Sequence, residues 1–288
     1  METVQPRTFE KDGHTIVWGD ALSALADVAP TGSVDLIFAD PPYNIGKSFA
    51  NDSWRDENDY VAWCVQWLDA CFKLLKPTGT MYLMCSTQYM PFLDVHVRNK
   101  LKILSRITWH YDSSGVQAKR YFGSMYEPIL HCVADSTKYT FNSDDILVEA
   151  RTGAERKLID YRKAIPQPYN TKKVPGNVWY FPRVRYRMPE YEEHPSQKPE
   201  SLLERIVRAS SNPGDVVLDP FAGTFTTAAV AKRLGRRSIS VELAEEYVRV
   251  GLRRLDITTE LNGRELRSPA KSFQRRDAPG QASLFSSK

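Results

Sequence analysis

The stretch VDLIFADPPYNIG, residues 34–46, joins a mostly apolar run to an acidic, proline-rich turn. The run is short and bounded by turn residues, which predicts a strand buried on both faces. Asp40 follows it directly, and a residue before proline is kept out of the helical conformation. Pro41 and Pro42 donate no N–H, so the turn presents a carboxylate and carbonyl oxygens as acceptors. With the ring of Tyr43 beside them, these acceptors suit a planar ligand that carries an amino group.

A second unit of strand, acid and turn lies in the C-terminal third, in DVVLDPFAGTFTT, residues 215–227. Asp219 closes its strand, and Gly223 allows the backbone to approach a ligand closely. About twenty residues later, SISVEL reaches Glu242, a spacing typical of an acid that accepts hydrogen bonds from ribose hydroxyls. The turn lacks the repeated glycines of a pyrophosphate site, so a nucleoside without phosphates fits it better than a dinucleotide.

Strand and helix patterns alternate on both sides of an irregular segment, which indicates an α/β fold with a doubly wound, mostly parallel sheet. We divide the chain into a first half of that domain (1–135), an insert (136–192) and a second half (193–267). A polar tail (268–288) follows, which we expect to be flexible.

The composition excludes several protein classes. The 288 residues are 42% hydrophobic and 26% charged, as in ordinary globular proteins. No apolar run approaches the roughly 18 residues of a membrane span, and the polar start does not resemble a signal peptide. The four cysteines form no CxxC pair, so we expect reduced core residues and no metal site. These features predict a cytoplasmic protein.

Positive charge is concentrated in the insert. Residues 151–190 hold ten Lys/Arg against three Asp/Glu, a surplus of seven, while the other 248 residues sum to −3. Aromatic residues are interleaved with the basic ones, which favours a polyanion-binding surface over a merely solvated basic face. The candidate DNA-binding residues are Arg120, Arg151, Arg156, Lys157, Arg162, Lys172, Lys173, Arg183, Arg185 and Arg187.

Taken together, the motifs resemble those of the DNA amino-methyltransferases that use S-adenosyl-L-methionine. Residues 40–43 (DPPY) match the amino-group motif D/N/S-P-P-Y/F, and residues 219–225 match D-P-F-x-G-x-G except that Phe225 replaces the last glycine. HPSQKP (194–199) resembles the segment that precedes the cofactor motif, and residues 109–130 resemble the segment behind the target base. The motif order is that of the permuted β-class, which implies a Rossmann-like methyltransferase fold with a target-recognition insert.

The resemblance implies a role for each matching residue. The catalytic set is Asp40, Pro41, Pro42 and Tyr43, with Asp40 and the Pro41 carbonyl accepting from the target amine. Within the cofactor set, Phe221 would face the adenine, Glu242 the ribose, and Asp20 and Ala21 the adenine edge. Asp219, Thr226 and Lys198 would hold the methionine end. The full cofactor set is Asp20, Ala21, Asp40, Lys198, Asp219, Phe221, Ala222, Gly223, Thr224, Thr226 and Glu242.

We therefore expect site-specific methylation of adenine N6 in double-stranded DNA, because DPPY is the adenine variant in most family members. Three alternatives stay open: N4 of cytosine, an exocyclic amine in RNA, and a DNA-binding protein on an inactive methyltransferase fold. A homodimer, a separate restriction endonuclease partner and association with the nucleoid are also compatible with the sequence. The loop 44–54 is a candidate lid.

Overall fold

The computed structural model of the chain describes residues 6–46, 56–112, 119–150 and 159–266. Fifteen strands lie in these ranges. They are β1 (Arg7–Lys11), β2 (His14–Trp18), β3 (Val34–Ala39), β4 (Leu75–Met84), β5 (Lys102–His110), β6 (Tyr126–Val133), β7 (Val148–Glu149), β8 (Ile159–Asp160), β9 (Gln167–Pro168), β10 (Lys172–Lys173), β11 (Val178–Tyr180), β12 (Val216–Asp219), β13 (Arg237–Glu242), β14 (Glu260–Leu261) and β15 (Arg264–Glu265). The helices are α1 (Ala21–Leu25), α2 (Glu57–Leu74), α3 (Met90–Arg98), α4 (Glu200–Ser210), α5 (Thr226–Arg233) and α6 (Glu245–Arg254), with a 3₁₀ turn at Ser143–Ile146.

A nine-stranded sheet in the order β1-β2-β13-β12-β3-β4-β6-β5-β11 organises the molecule. Strand β1 is antiparallel to β2, and β6 is antiparallel to both β4 and β5. The other neighbours in the sheet pair in parallel. The predicted doubly wound, mostly parallel α/β sheet is thereby confirmed.

The direction of winding reverses between β3 and β12. From β3 the chain passes through α2 to β4 on one side, whereas from β12 it passes through α5 to β13 on the other. Ligands of open α/β sheets bind beyond the carboxyl ends of the strands at such a switch point. Both acidic motifs end a strand at this point.

Strand β3 is buried on both faces, as its sequence predicts. Leu36 and Phe38 point into the cluster that contains the apolar face of α4, and Ile37 and Ala39 into the cluster that contains α2. Successive side chains of a strand alternate between faces, so an almost continuous apolar run is what a central parallel strand requires. The exception, Asp35, lies near the start of the strand and accepts hydrogen bonds from Lys76 Nζ and from a backbone N–H of β12.

Helix α2 begins at Glu57 because Asp56 caps it. The Asp56 carboxylate accepts from the N–H groups of Asn58 and Asp59 at 2.6 and 3.4 Å. The helix ends at Leu74, and β4 follows without a loop. Since Lys76 precedes a proline, it favours the extended conformation, which explains why the chain turns from helix to strand here.

Strands β1 and β11 and helix α3 are among the elements that the sequence did not predict. Strand β1 forms a hairpin with β2 through Asp12 and Gly13, whose φ angles of 50° and 81° suit a tight two-residue turn. Helix α3 packs on α2. Strand β11 belongs to the insert, yet it pairs in parallel with β5 and extends the main sheet.

The insert otherwise consists of short paired strands and turns. Strand β7 pairs with β10, and β8 pairs with β9, each over two residues. The division of the chain into two halves, an insert and a tail stays a prediction, and the tail lies outside the described residues. Within the described ranges, no helix is long and apolar enough to span a membrane.

Candidate functional site

One pocket lies over the carboxyl ends of β2, β3, β12 and β13. Its wall includes every residue of the predicted catalytic and cofactor sets, which lie in five separate stretches of the sequence. Further residues line it to which the sequence assigned no role, among them Trp63, His194, Gln197 and Tyr247. The pocket therefore joins the two acidic motifs and the HPSQKP segment in a single site.

Asp219 is held by its own turn. Its two carboxylate oxygens accept from the Phe221 N–H at 3.0 Å and from the Thr227 hydroxyl at 2.6 Å. The residue is 3% exposed, and burial raises its pKa to about 7. Each carboxylate oxygen can accept a second hydrogen bond, so the acid can still bind a donor from the pocket.

Glu242 at the end of β13 ties two turns together. One oxygen accepts from the Gly223 N–H and the other from the Ala244 N–H, both at 2.8 Å. Burial raises its pKa to about 7 as well. The carboxylate thus faces the pocket from a position fixed by the backbone, as required of an acid that receives ribose hydroxyls.

The turn after Asp219 is shaped by two residues with positive φ. Gly223 has a φ of +49°, and a Cβ atom there would lie 3.5 Å from Nε2 of His194, a pocket residue of the HPSQKP motif to which the sequence assigned no role. Phe225, which stands where the family has glycine, has a φ of 59° and begins α5. A non-glycine residue in this conformation costs roughly 1 kcal/mol or more.

The ring of Phe225 offsets that cost by filling the core rather than the pocket. It is fully buried in a cluster with residues of α6. Directly over the ring lies Gly251, where a Cβ atom would approach the ring carbons to 2.6 Å. The pocket wall does not include Phe225. Glycine at 251 and phenylalanine at 225 are therefore complementary, and the departure from the family motif leaves the pocket wall intact.

Phe221 forms an aromatic wall of the pocket with α2. Its ring lies 5.7 Å from Trp63 and 4.9 Å from Trp67, measured between ring centroids. It is only partly buried, so one part of the ring faces the pocket. Trp63 is half-buried on α2, at a position where no sequence pattern indicated a binding role.

Asp40 is held by side chains from distant segments. One oxygen accepts from the Tyr43 hydroxyl, and the other lies 2.7 Å from Nζ of Lys198. Glu127, at the start of β6, lies 2.9 Å from the Tyr43 hydroxyl and 3.4 Å from the same ammonium. Glu127 was not predicted, although it lies in the segment, residues 109–130, that resembles the one behind the target base.

The charges of this group shift one another's pKa values. Burial raises the pKa of Asp40, Lys198 opposes that rise and Glu127 adds to it. Burial alone would lower the pKa of Lys198, but Asp40 and Glu127 outweigh it and raise the value to about 12. Lys198 is therefore charged, and the Asp40 carboxylate is poised between two opposing neighbours.

The remaining motif residues are oriented by the core. The Tyr43 ring is only 8% exposed, and the Lys198 ammonium lies 5.4 Å from its centroid. The stacking of this ring on a base stays a prediction. The Pro42 carbonyl accepts from the Tyr60 hydroxyl at 2.7 Å. Asp20 caps α1 by accepting from the Ser23 N–H at 3.1 Å.

The candidate DNA-binding residues are mostly exposed. Arg162 pairs with Asp160, and Arg183 lies over the ring of Tyr111 at 5.1 Å. The exposed members of the set are Arg120, Arg162, Lys172, Lys173, Arg185 and Arg187. Arg151, Arg156 and Lys157 lie outside the described residues, as does most of the candidate lid. No group of three potential metal ligands occurs in the described ranges.

Comparison with known sequences identifies similar proteins over most of the chain. A family model for N6/N4 methyltransferases, described as DNA methylase, matches residues 34–253. DNA adenine methyltransferase YhdJ of Escherichia coli (strain K12) is 58% identical over 264 residues, which cover 91% of this chain and 89% of that protein. Type II methyltransferase M.HpaI of Haemophilus parainfluenzae is 36% identical over 251 residues, 86% of this chain and 75% of that protein.

Solved structures share the architecture. The M1.HpyAVI–SAM complex superposes with a TM-score of 0.59 and 24% identity, over 84% of this chain and 98% of that one. PvuII DNA methyltransferase (cytosine-N4-specific) superposes with a TM-score of 0.65 and 19% identity, over 85% and 86%. At these identities the likeness demonstrates the fold alone.

Proposed function

The chain belongs to the family of N6/N4 DNA methylases, and on that premise we propose that it transfers a methyl group from S-adenosyl-L-methionine to N6 of an adenine flipped out of double-stranded DNA. The observation that carries this proposal is the convergence of the DPPY turn and the two acids Asp219 and Glu242 on one pocket. Adenine is favoured over cytosine by the DPPY motif and by the 58% identity to a protein named as a DNA adenine methyltransferase. The motif order supports assignment to the permuted β-class.

The pocket has the chemistry that the cofactor requires. Glu242 offers a fixed acceptor for ribose hydroxyls, and Phe221 offers an aromatic face for the adenine. Asp219 and Thr226 are assigned to the methionine end, and Asp20 and Ala21 to the adenine edge. The assignment of Lys198 to the methionine end stays a prediction, because its ammonium contacts Asp40 and Glu127. When bound, the cofactor supplies an electrophilic methyl group.

The residues of the chain would bind and orient the target amine. Flipping the adenine costs a few kcal/mol, part of which stacking on Tyr43 would recover. The Asp40 carboxylate and the Pro41 carbonyl accept hydrogen bonds from N6, which turns the nitrogen lone pair out of conjugation with the ring. Direct transfer needs no covalent bond to the protein, so the main contribution of these residues is positioning.

The basic insert would hold the DNA. Lysines and arginines that neutralise phosphates make the affinity fall steeply with salt. We expect substitution of Lys172 and Lys173 by alanine to reduce the slope of log affinity against log salt by about one for each phosphate that is no longer neutralised. Affinity that does not depend on salt would contradict this role.

The methylated base is the decisive measurement. Unmethylated DNA would be incubated with the protein and labelled cofactor, digested to nucleosides and separated. N6-methyladenine supports the proposal, whereas N4-methylcytosine, or methylation of RNA in a parallel reaction, supports the corresponding alternative. Cofactor binding without transfer to any nucleic acid would support an inactive DNA-binding protein. Sequencing of methylated DNA would then give the recognition site.

Two further expectations belong to this proposal. The protein would act in the cytoplasm, in contact with the nucleoid, because its substrate is DNA. A homodimer and a separate endonuclease partner stay compatible with the chain, and light scattering of the purified protein would decide the first.

A further inference from the structure

A second buried carboxylate accompanies the catalytic motif in this structure. Glu127 comes from β6, on the far side of β4 from the DPPY turn, and its Oε2 atom lies within reach of both the Tyr43 hydroxyl and the Lys198 ammonium. Its side chain is 15% exposed, and that of Lys198 is 7% exposed. Burial of two acids beside one ammonium is costly unless each is hydrogen-bonded, so the arrangement indicates more than surface pairing.

The ammonium of Lys198 has a matching acceptor for each of its protons. It lies 2.7 Å from Oδ2 of Asp40, 3.4 Å from Oε2 of Glu127 and 3.2 Å from the carbonyl of Ser196. An ammonium carries three donors. A cofactor carboxylate would therefore have to displace one of these acceptors, which places the main function of Lys198 on the side of the target amine.

The Tyr43 hydroxyl is shared in a similar way. It carries one proton but lies next to Asp40 and Glu127 at once, so it donates to one of the two acids at a time. Burial, together with the charges of these two acids, raises the pKa of Tyr43 well above its usual range, so the phenol stays neutral. Two acids, one phenol and one ammonium thus share a network, which Tyr111 joins through Glu127.

We propose that Glu127 is a positioning residue for methyl transfer: together with Lys198, it holds the Asp40 carboxylate in the orientation that receives the target amine. This inference rests on the proposed function and adds to it a residue outside the DPPY motif. Removing the Glu127 carboxylate takes one ion-pair partner from Lys198 and one hydrogen-bond acceptor from Tyr43. Both of these residues contact Asp40 directly.

The electrostatics give the two partners opposite signatures. Glu127 raises the pKa of Asp40 and Lys198 lowers it. The other titratable groups that interact with Asp40 are Tyr43, Asp219 and Cys85. Of these, Asp219 and Cys85 would be the same in variants of Glu127 and Lys198, whereas in Glu127→Gln Tyr43 would lose a neighbouring charge that raises its pKa. If activity requires ionised Asp40, the acid limb of the rate profile should move to lower pH in Glu127→Gln and to higher pH in Lys198→Met.

The experiment compares total methyl transfer to DNA and cofactor affinity in Glu127→Gln, Lys198→Met and the double variant. Glu127→Gln preserves the shape of the side chain and leaves Lys198 paired with Asp40, so the fold should persist, as checked by circular dichroism. We expect kcat to fall about 10- to 100-fold in each single variant, while the cofactor Kd changes less than about threefold. The double variant should lose less than the product of the two single losses. Exposed residues Glu260 and Lys100 provide the control variants Glu260→Gln and Lys100→Met.

The outcomes separate this inference from the proposed function. An active wild-type protein with an unchanged Glu127→Gln variant, or acid limbs that move in the same direction in both variants, would overturn the role of Glu127 alone. A loss of cofactor affinity in Lys198→Met with unaltered kcat would overturn it in favour of the methionine-end role of Lys198. If the wild-type protein methylates cytosine, the choice of adenine fails while the positioning role is still measured. If the wild-type protein transfers no methyl group to DNA or RNA, both fail.

Discussion

The acids on the two sides of the pocket are held in opposite ways. Asp219 accepts from a backbone N–H and a hydroxyl of the turn and helix that follow its own strand, and Glu242 accepts from one backbone N–H in the turn after β12 and one in the turn after β13. Asp40 instead contacts the charged side chain of Lys198 and the hydroxyl of Tyr43, with Glu127 beyond them. The proposed cofactor side is thus held mainly by groups of two adjacent turns, whereas the proposed amine side is built from side chains of segments that lie far apart in the sequence.

The strongest test of the comparison is removal of the acid on the amine side. We expect Asp40→Ala to lower kcat by roughly 10³-fold, because hydrogen bonds aimed at the reacting group contribute on this scale. The cofactor Kd should change by less than about tenfold. Labelled methyl transfer and calorimetric titration with cofactor would measure the two effects, with the exposed Asp27→Asn as control. Near-normal transfer by Asp40→Ala would break the distinction between the two sides.

On the cofactor side, Phe225 tests whether the turn depends on the core beneath it. We expect Phe225→Ala to lower the free energy of unfolding by about 3 kcal/mol, since it removes a fully buried ring. We expect Phe225→Gly to lower the free energy of unfolding by roughly 1 kcal/mol less than Phe225→Ala does, because glycine accepts the positive φ without strain. Denaturant titration would measure both. If Phe225→Gly is the less stable of the two, the conformational cost assigned to Phe225 is wrong.

Glu242 tests the backbone-held acid itself. In Glu242→Gln, the side-chain NH₂ group would take the place of one carboxylate oxygen and would face a backbone N–H group. That N–H group would then lose its acceptor. We expect the cofactor Kd to rise about tenfold and the melting temperature to fall. Calorimetric titration and thermal melting would measure these effects, and Glu260→Gln should change neither. Unaltered affinity would mean that the ribose does not bind Glu242.

The smallest expected effect is a pH dependence of cofactor binding. Burial raises the pKa of both Asp219 and Glu242 to about 7, and hydroxyl donors bind the ionised form. Affinity should therefore increase about three- to tenfold from pH 6 to pH 8, with release of protons on binding. Calorimetry in buffers of different ionisation enthalpy would detect that release, and Glu242→Gln should reduce it.

The same pKa values have the opposite effect on the protein without cofactor. A carboxyl group whose pKa is higher in the folded state than in the unfolded state stabilises the fold at low pH. That contribution is lost as the pH rises from about 4 towards 7. Binding and stability should therefore respond to pH in opposite directions, and parallel responses would contradict the assignment of these pKa values to the two acids.

The sequence predicted the parts of the site that depend on neighbouring residues. The DPPY turn, Asp219, Gly223 and Glu242 are recognisable because a strand, an acid and a turn follow one another within a few residues. All of them line the pocket, together with Lys198. The roles assigned to these residues stay predictions.

The unpredicted features depend on contacts between distant segments. In the sequence, Glu127 is a single acid within a strand pattern, and its place in the site depends on the pairing of β6 with β4. Trp63 lies outside the apolar stripe of α2 in the sequence, and its place in the pocket wall depends on its contact with Phe221. The Asp12-Gly13 pair was a different case, because two adjacent turn residues directly before β2 were a sufficient signal for the first hairpin. The pairing of β11 with β5 joins residues about 70 positions apart, which no local pattern encodes.

The pairing of β11 with β5 limits how the insert can be exchanged between relatives. Trp179 of β11 lies opposite Trp109 of β5, and the Trp109 indole donates to the carbonyl of Phe181. A chimera cut at residues 136 and 192 would remove an edge strand of the main sheet along with the loops proposed to contact DNA. Domain grafts meant to change the target sequence should therefore keep residues 177–181 from the recipient. The transplanted loops would then be joined to a sheet that retains its own edge strand.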